Sequence, residues 1–248
     1  MVDRVHAGTG TSKVSTQGIR EARTAAATVV GTVKELQFGK KVIYAYVGAA
    51  AISAGSCMCA PAVVANHRNR MIAVTASVGA KQVTITIGAT SAAADLYEDA
   101  MLIITSGQGS GYSYMVAGHK PWASSSTAAV IDLKDGLEVA AVTTSQTLLC
   151  QNKARGVVVS PNSASLTGAF VGVALISAAA NSYVWLGHKG EWPVLMDAGT
   201  LVGGPVQVGG TATATGQVGP ITISSGQTIV GVCMSTATDT GYGLVDFV

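Results

Sequence analysis

From Gln82 to Ile87 the chain alternates strictly, with Val83, Ile85 and Ile87 on one side and Thr84 and Thr86 on the other. A period of two marks a strand with one buried face. Short β-rich runs recur along most of the chain. They fall at Val42–Val47, Met71–Val78, Met101–Thr105, Tyr112–Val116, Val130–Leu133, Thr147–Cys150 and Gly156–Ser160. Ala169–Ser177, Ser182–Gly187, Glu191–Met196, Val206–Val208, Ile221–Ile223, Thr228–Met234 and Leu244–Val248 follow. Turns rich in Gly, Asn and Ser separate them, and Val outnumbers Leu 32 to 13. Branched side chains fit a pleated sheet better than a helix. The expectation is an all-β protein of sandwich or barrel-like domains, built from many short antiparallel strands.

One helix is expected, over Gln17–Thr28, where the chain is Ala-rich. Residues 1–16 are polar and patternless and read as a flexible arm. The whole N-terminal segment, 1–41, holds seven Lys/Arg and three Asp/Glu, a balance of +4, while the net charge of the chain is +2. The expected organisation is an arm at 1–41, a β domain at 42–155 and a second β domain, or the second half of one, at 156–248. Arg20, Arg23, Lys34, Lys40 and Lys41 are the candidate partner-binding residues. Their modest charge, with no aromatic before Phe38, fits an acidic protein surface as well as nucleic acid. No nucleic-acid partner is expected.

Three uncharged stretches, 42–65, 156–187 and 198–238, are long enough to span a bilayer. Their Gly, Ser, Thr, Asn and Pro content reads as β structure, so no membrane partner is expected. The start of the chain lacks the apolar core of a signal peptide.

Val171-Gly172-Val173 is followed by Tyr183, and Val230-Gly231-Val232 by Tyr242, an echo at an offset of 59 residues. It reads as two similar hairpins, with coincidence as the alternative in a chain so rich in Gly and Val.

Signals for chemistry are weak. Gly107-Gln108-Gly109-Ser110-Gly111 precedes a strand pattern, not the helix a phosphate loop requires, and reads as a hairpin turn. Cys57, Cys59, Cys150 and Cys233 have no zinc spacing and read as small reduced thiols, with a disulfide left open. His6, His67, His119 and His188 form no metal pair. His119 and His188 each precede a Lys and a nearby Trp, Trp122 and Trp192. A glycan platform could use such a group; a strand-end loop packing its Trp on its own sheet is the plainer reading. Asp95, Glu98, Asp99, Asp132 and Asp135 sit in turn-like contexts, although paired carboxylates could serve a hydrolase. No catalytic residue, cofactor or metal is expected.

Four stretches resemble the capsid decoration, or cement, proteins of small podovirus-like tailed bacteriophages. They are Leu36–Ala45 with Gly48 and Ile52–Gly55; Asn152–Pro161; Val171–Ala174 with Tyr183–Leu186, Gly190 and Trp192–Val194; and Ile229–Val232. The resemblance implies a non-enzymatic virion protein on the outer capsid surface, assembled in the host cytoplasm and stabilising the shell by bridging capsomers. It implies the major capsid protein and copies of itself, as a homo-oligomer such as a trimer, as partners. The alternatives are a tail or fibre component and a glycan-binding β module.

Overall fold

The computed structural model describes residues 16–160, 168–197, 200, 202–208, 216–220, 229–236 and 241–248. Residues 1–15 and the strand expected at Ile221–Ile223 lie outside them. The chain forms two compact units, one made of residues up to Pro61 and from Lys153 onward, the other of Ala62–Asn152. The boundaries expected at 41/42 and 155/156 therefore differ from those of the structure. The second unit is an insertion that leaves and re-enters the first. Strand patterns are local and carry no mark of such a detour.

The inserted unit comprises β4 (Arg70–Val74), β5 (Gln82–Ile85), β6 (Met101–Ser106), β7 (Ser113–Gly118), β8 (Ala129–Leu133) and β9 (Gln146–Cys150). They close into a barrel in the order β4-β5-β8-β7-β6-β9, every pairing antiparallel. The alternation seen in the sequence sets the inner face. Ile72, Val83, Ile85, Leu102, Ile104, Val116, Ile131, Leu133 and Leu149 are buried and fill the interior. The turn at Ser106–Gly111 joins β6 to β7 as expected, with Gly107, Gly109 and Gly111 at positive φ.

The other unit begins with β1 (Val33–Glu35), β2 (Lys41–Val47) and β3 (Cys57–Cys59). After the insertion come β10 (Arg155–Val159), β11 (Phe170–Ala174), β12 (Tyr183–Leu195), β13 (Pro205–Val208), β14 (Val218–Pro220), β15 (Ile229–Ser235) and β16 (Tyr242–Phe247). Strands β2, β10, β3, β11 and β12 pair in a ring that returns to β2. The C-terminal half of β12, with β16, β15, β13 and β14, makes a second ring, closed by a parallel bridge from Met196 to Val218. The all-β expectation holds. The antiparallel rule fails once per ring, at Val157 against Val47 and at Val218 against Met196.

The two rings are one blueprint used twice. Tyr183 faces Tyr46 in the first and Tyr242 faces Leu195 in the second. Gly172 faces Met58 and Gly231 faces Val206, each beside a one-residue irregularity. The Gly55 amide donates to Ala174 O at 2.7 Å, and the Gly203 amide to Cys233 O at 2.7 Å. The echo read from the sequence is thus the visible part of a five-strand duplication. Gly172 and Gly231 explain why it was visible. A Cβ at either would collide with a carbonyl oxygen of the adjacent strand, that of Gly187 or Asp246.

Gln17–Thr28 is not helical. A helix this short needs outside support, and here the backbone is engaged elsewhere. Arg23 exchanges two backbone hydrogen bonds with Tyr183. The Gln17 side chain is buried, accepts from Tyr44 Oη at 2.7 Å and donates to Tyr183 O at 2.8 Å. Residues 16–31 are therefore a strap packed on the first ring, and 33–41 form β1 and the turn into β2, where a free arm was expected.

Candidate functional site

The five basic residues separate into two places. Arg23 lies on the strap, its guanidinium paired to Glu21 at 2.7 Å, and Arg20 occupies an exposed turn nearby. Lys34, Lys40 and Lys41 lie on the β1–β2 hairpin. Arg23 bridges Tyr183 and Lys41 faces Lys189. Six residues of strand, roughly 20 Å, separate those two contacts. The Lys40 ammonium stands over the Trp192 ring, 5.3 Å from its centroid.

The hairpin loop, Gln37–Gly39, holds a residue that the sequence reading passed over. Phe38 is 94% exposed. Its φ is 61° and that of Gly39 is 69°. The Leu36 amide donates to Lys40 O at 2.8 Å across the loop. Two successive positive φ values are what a type I′ hairpin turn demands, and Asn-Gly is the usual choice. A bulky aromatic at such a φ is an outlier. The available signal was Phe-Gly standing where Asn-Gly belongs.

Both Trp side chains are packed, but His188, Lys189 and Trp192 lie within β12 and not in the strand-end loop expected, because the strand continues through them to pair with β16. Trp122 and Trp192 are each 7% exposed. Trp192 donates its indole N–H to Lys189 O at 2.9 Å. Trp122 stacks on Tyr97 and lies 4.0 Å, centroid to centroid, from His119. Their hydrogen bonds assign the tautomers. His119 Nε2 accepts from the Tyr97 amide at 3.2 Å, so Nδ1 carries the proton and donates to Lys120 O at 2.8 Å. His67 Nε2 donates to Thr90 O at 2.8 Å, which leaves Nδ1 to accept from Tyr97 Oη at 2.6 Å. Burial holds His119 below the usual histidine range and pushes the Tyr97 hydroxyl up. Both lone pairs are consumed inside the cluster, so neither imidazole is poised to take a proton from a substrate.

A shallow depression of about 370 Å³ beside this cluster is lined by Ala94, Asp95, Ala117, Pro121 and Asp132 among others. Its acids have structural partners. Asp95 accepts from the His119 amide and Asp132 from Gln82. Asp99, at φ 58°, pairs with Lys134. All four cysteines are free; Cys57, Cys59 and Cys233 are buried, and burial raises each thiol's pKa. Among the described residues no group of three or more His, Cys, Asp or Glu is placed to hold a metal ion. No helix among them is long and apolar enough to cross a membrane. Comparison with family models, curated proteins and solved structures gives no match.

Proposed function

We propose that the chain is a non-enzymatic structural protein of a virion, seated on the outer surface of a tailed-phage shell and bridging its capsomers. The observation that carries this reading is where the chemistry lies. His67, His119, Asp95, Asp99 and Asp132 are spent on internal hydrogen bonds or an ion pair, while a large apolar side chain, Phe38, is displayed on a lysine-bearing hairpin. Filled barrels with few charges suit attachment, because wide contact surfaces then cost little desolvation. Copies of the chain, as trimers or another symmetric set, and the major capsid protein are the partners in this reading. A glycan platform is disfavoured, because the indole faces it needs are buried.

The test is to purify the phage particles produced by cells carrying the gene and to measure this chain's copy number by quantitative mass spectrometry and cryo-electron microscopy. A fixed ratio to the major capsid protein, with density outside the shell, is the expected result. Absence from the particles, or a handful of copies at the tail, would end the proposal.

A further inference from the structure

We infer that Phe38 is a plug that enters an apolar pocket, rimmed by carboxylates, on the shell protein that carries this chain. The inference rests on the reading above and names the contact through which it operates. Three observations support it. Phe38 is 94% exposed, with only Gln37 and Gly39 beside it in the loop. The turn holds it at a φ of 61°, where Asn or Gly would sit with less strain. The residue is thus poorly chosen for the hairpin itself, and such local conflict is characteristic of functional positions.

The third observation is charge and rigidity. The segment Val33–Lys41 has three Lys and one Glu. Lys189 adds a further cation in register with Lys41. Lys40 is fixed over Trp192, and the loop is closed by a backbone hydrogen bond. One ring displayed on a closed turn, on a hairpin with a net excess of lysine over the single Glu35 that faces Lys41, fits a shaped pocket with an acidic rim. A lipid surface would call for several apolar side chains, since a single small anchor holds a membrane only marginally. One Phe ring removed from water is worth on the order of 10- to 100-fold in affinity. That is weak for one contact but large when many copies are linked by a lattice.

The experiment adds the full chain to shells assembled without it and measures binding of the wild type and of F38N. The expected result is at least a tenfold loss for F38N, with a melting temperature equal to the wild type or about 1–3 °C higher. Binding of the wild type should weaken as salt is raised. F38G removes the ring with no left-handed penalty and should lose the same binding, and it replaces F38N as the test if F38N fails to fold. Binding by F38N or F38G within twofold of the wild type overturns the plug and leaves the shell reading standing. Failure of the wild type to bind shells sinks both. Phe38-dependent binding to vesicles of 30% anionic lipid, with shell binding unchanged by F38N, would assign the tip to lipid and also overturn the inference.

Discussion

The two five-stranded rings share a backbone plan and differ in what has been added to it. The first carries a whole six-stranded barrel between β3 and β10; the second joins the corresponding β13 and β14 through residues 209–217 alone. The first has Tyr44 where the second has Pro193, since Tyr44 faces Trp185 and Pro193 faces Leu244 in matching ladders. Only the tyrosine has a hydroxyl with which to hold the strap. The comparison teaches that the ladder and its close glycine approach define the ring, while the connections and the covering of its outer surface are free to vary. Insertion at a surface connection is the change a closed barrel tolerates best.

The largest expected effect tests the shared plan. Gly172→Ala and Gly231→Ala each put a Cβ against a strand carbonyl and should each cost about 3 kcal/mol or more in chemical denaturation. If one is harmless and the other severe, the equivalence of the rings fails. Next comes Tyr44→Phe. It leaves Gln17 Oε1 and the Ala27 amide without the hydroxyl that serves both, and should cost about 1–3 kcal/mol. Hydrogen exchange should then rise over residues 16–31 while the second ring keeps its protection.

A smaller effect is acid sensitivity. His188, in the first ring, is held below the usual histidine range by burial first and then by Lys153 and Lys41. At the 59-residue offset the second ring has Phe247. A depressed histidine takes up protons more readily when unfolded, so stability falls as pH drops below about 6.5. One such group contributes a slope below about 1.4 kcal/mol per pH unit. His188→Phe should remove that slope from the tandem unit, as read by urea unfolding at pH 7 and pH 5. The inserted barrel should keep its own slope through His119. The smallest effect is expected from deleting 62–152 and joining Pro61 to Lys153. If the second ring shows what the first was before insertion, the shortened chain melts within about 5 °C of the full one.

Most strands were legible because they declare themselves locally, but β1, β3 and β14 were not among the runs read, and Ser182–Gly187 and Glu191–Met196 are one strand, β12. Gln82–Ile87 announces its inner face through Val83, Ile85 and Ile87, all buried in the barrel. The duplication was legible only at Gly172 and Gly231, where close strand approach excludes every other residue. The rest was hidden by the insertion. Tyr46 and Leu195 lie 149 positions apart, whereas Gly172 and Gly231 lie 59 apart, so no constant period runs through the chain. The strap was misread as a helix because Ala content is a local signal, and the hydrogen bonds to Tyr44 and Tyr183 that overrule it come from distant sequence. The basic residues were found in the sequence, but which of them share a hairpin depends on pairing. Phe38 was missed because exposure has no one-residue signature.

Strand β12 runs for 13 residues, through a register shift at Gly187/Lys189 and a positive φ at Gly190, and serves as the last strand of one ring and the first of the next. Tension applied between the two rings therefore travels along a covalent backbone clamped by ladders of hydrogen bonds on either side. To part them, both ladders must slide in shear, many bonds at once, instead of peeling one bond at a time. A strand shared in this way resists being drawn out of either ring.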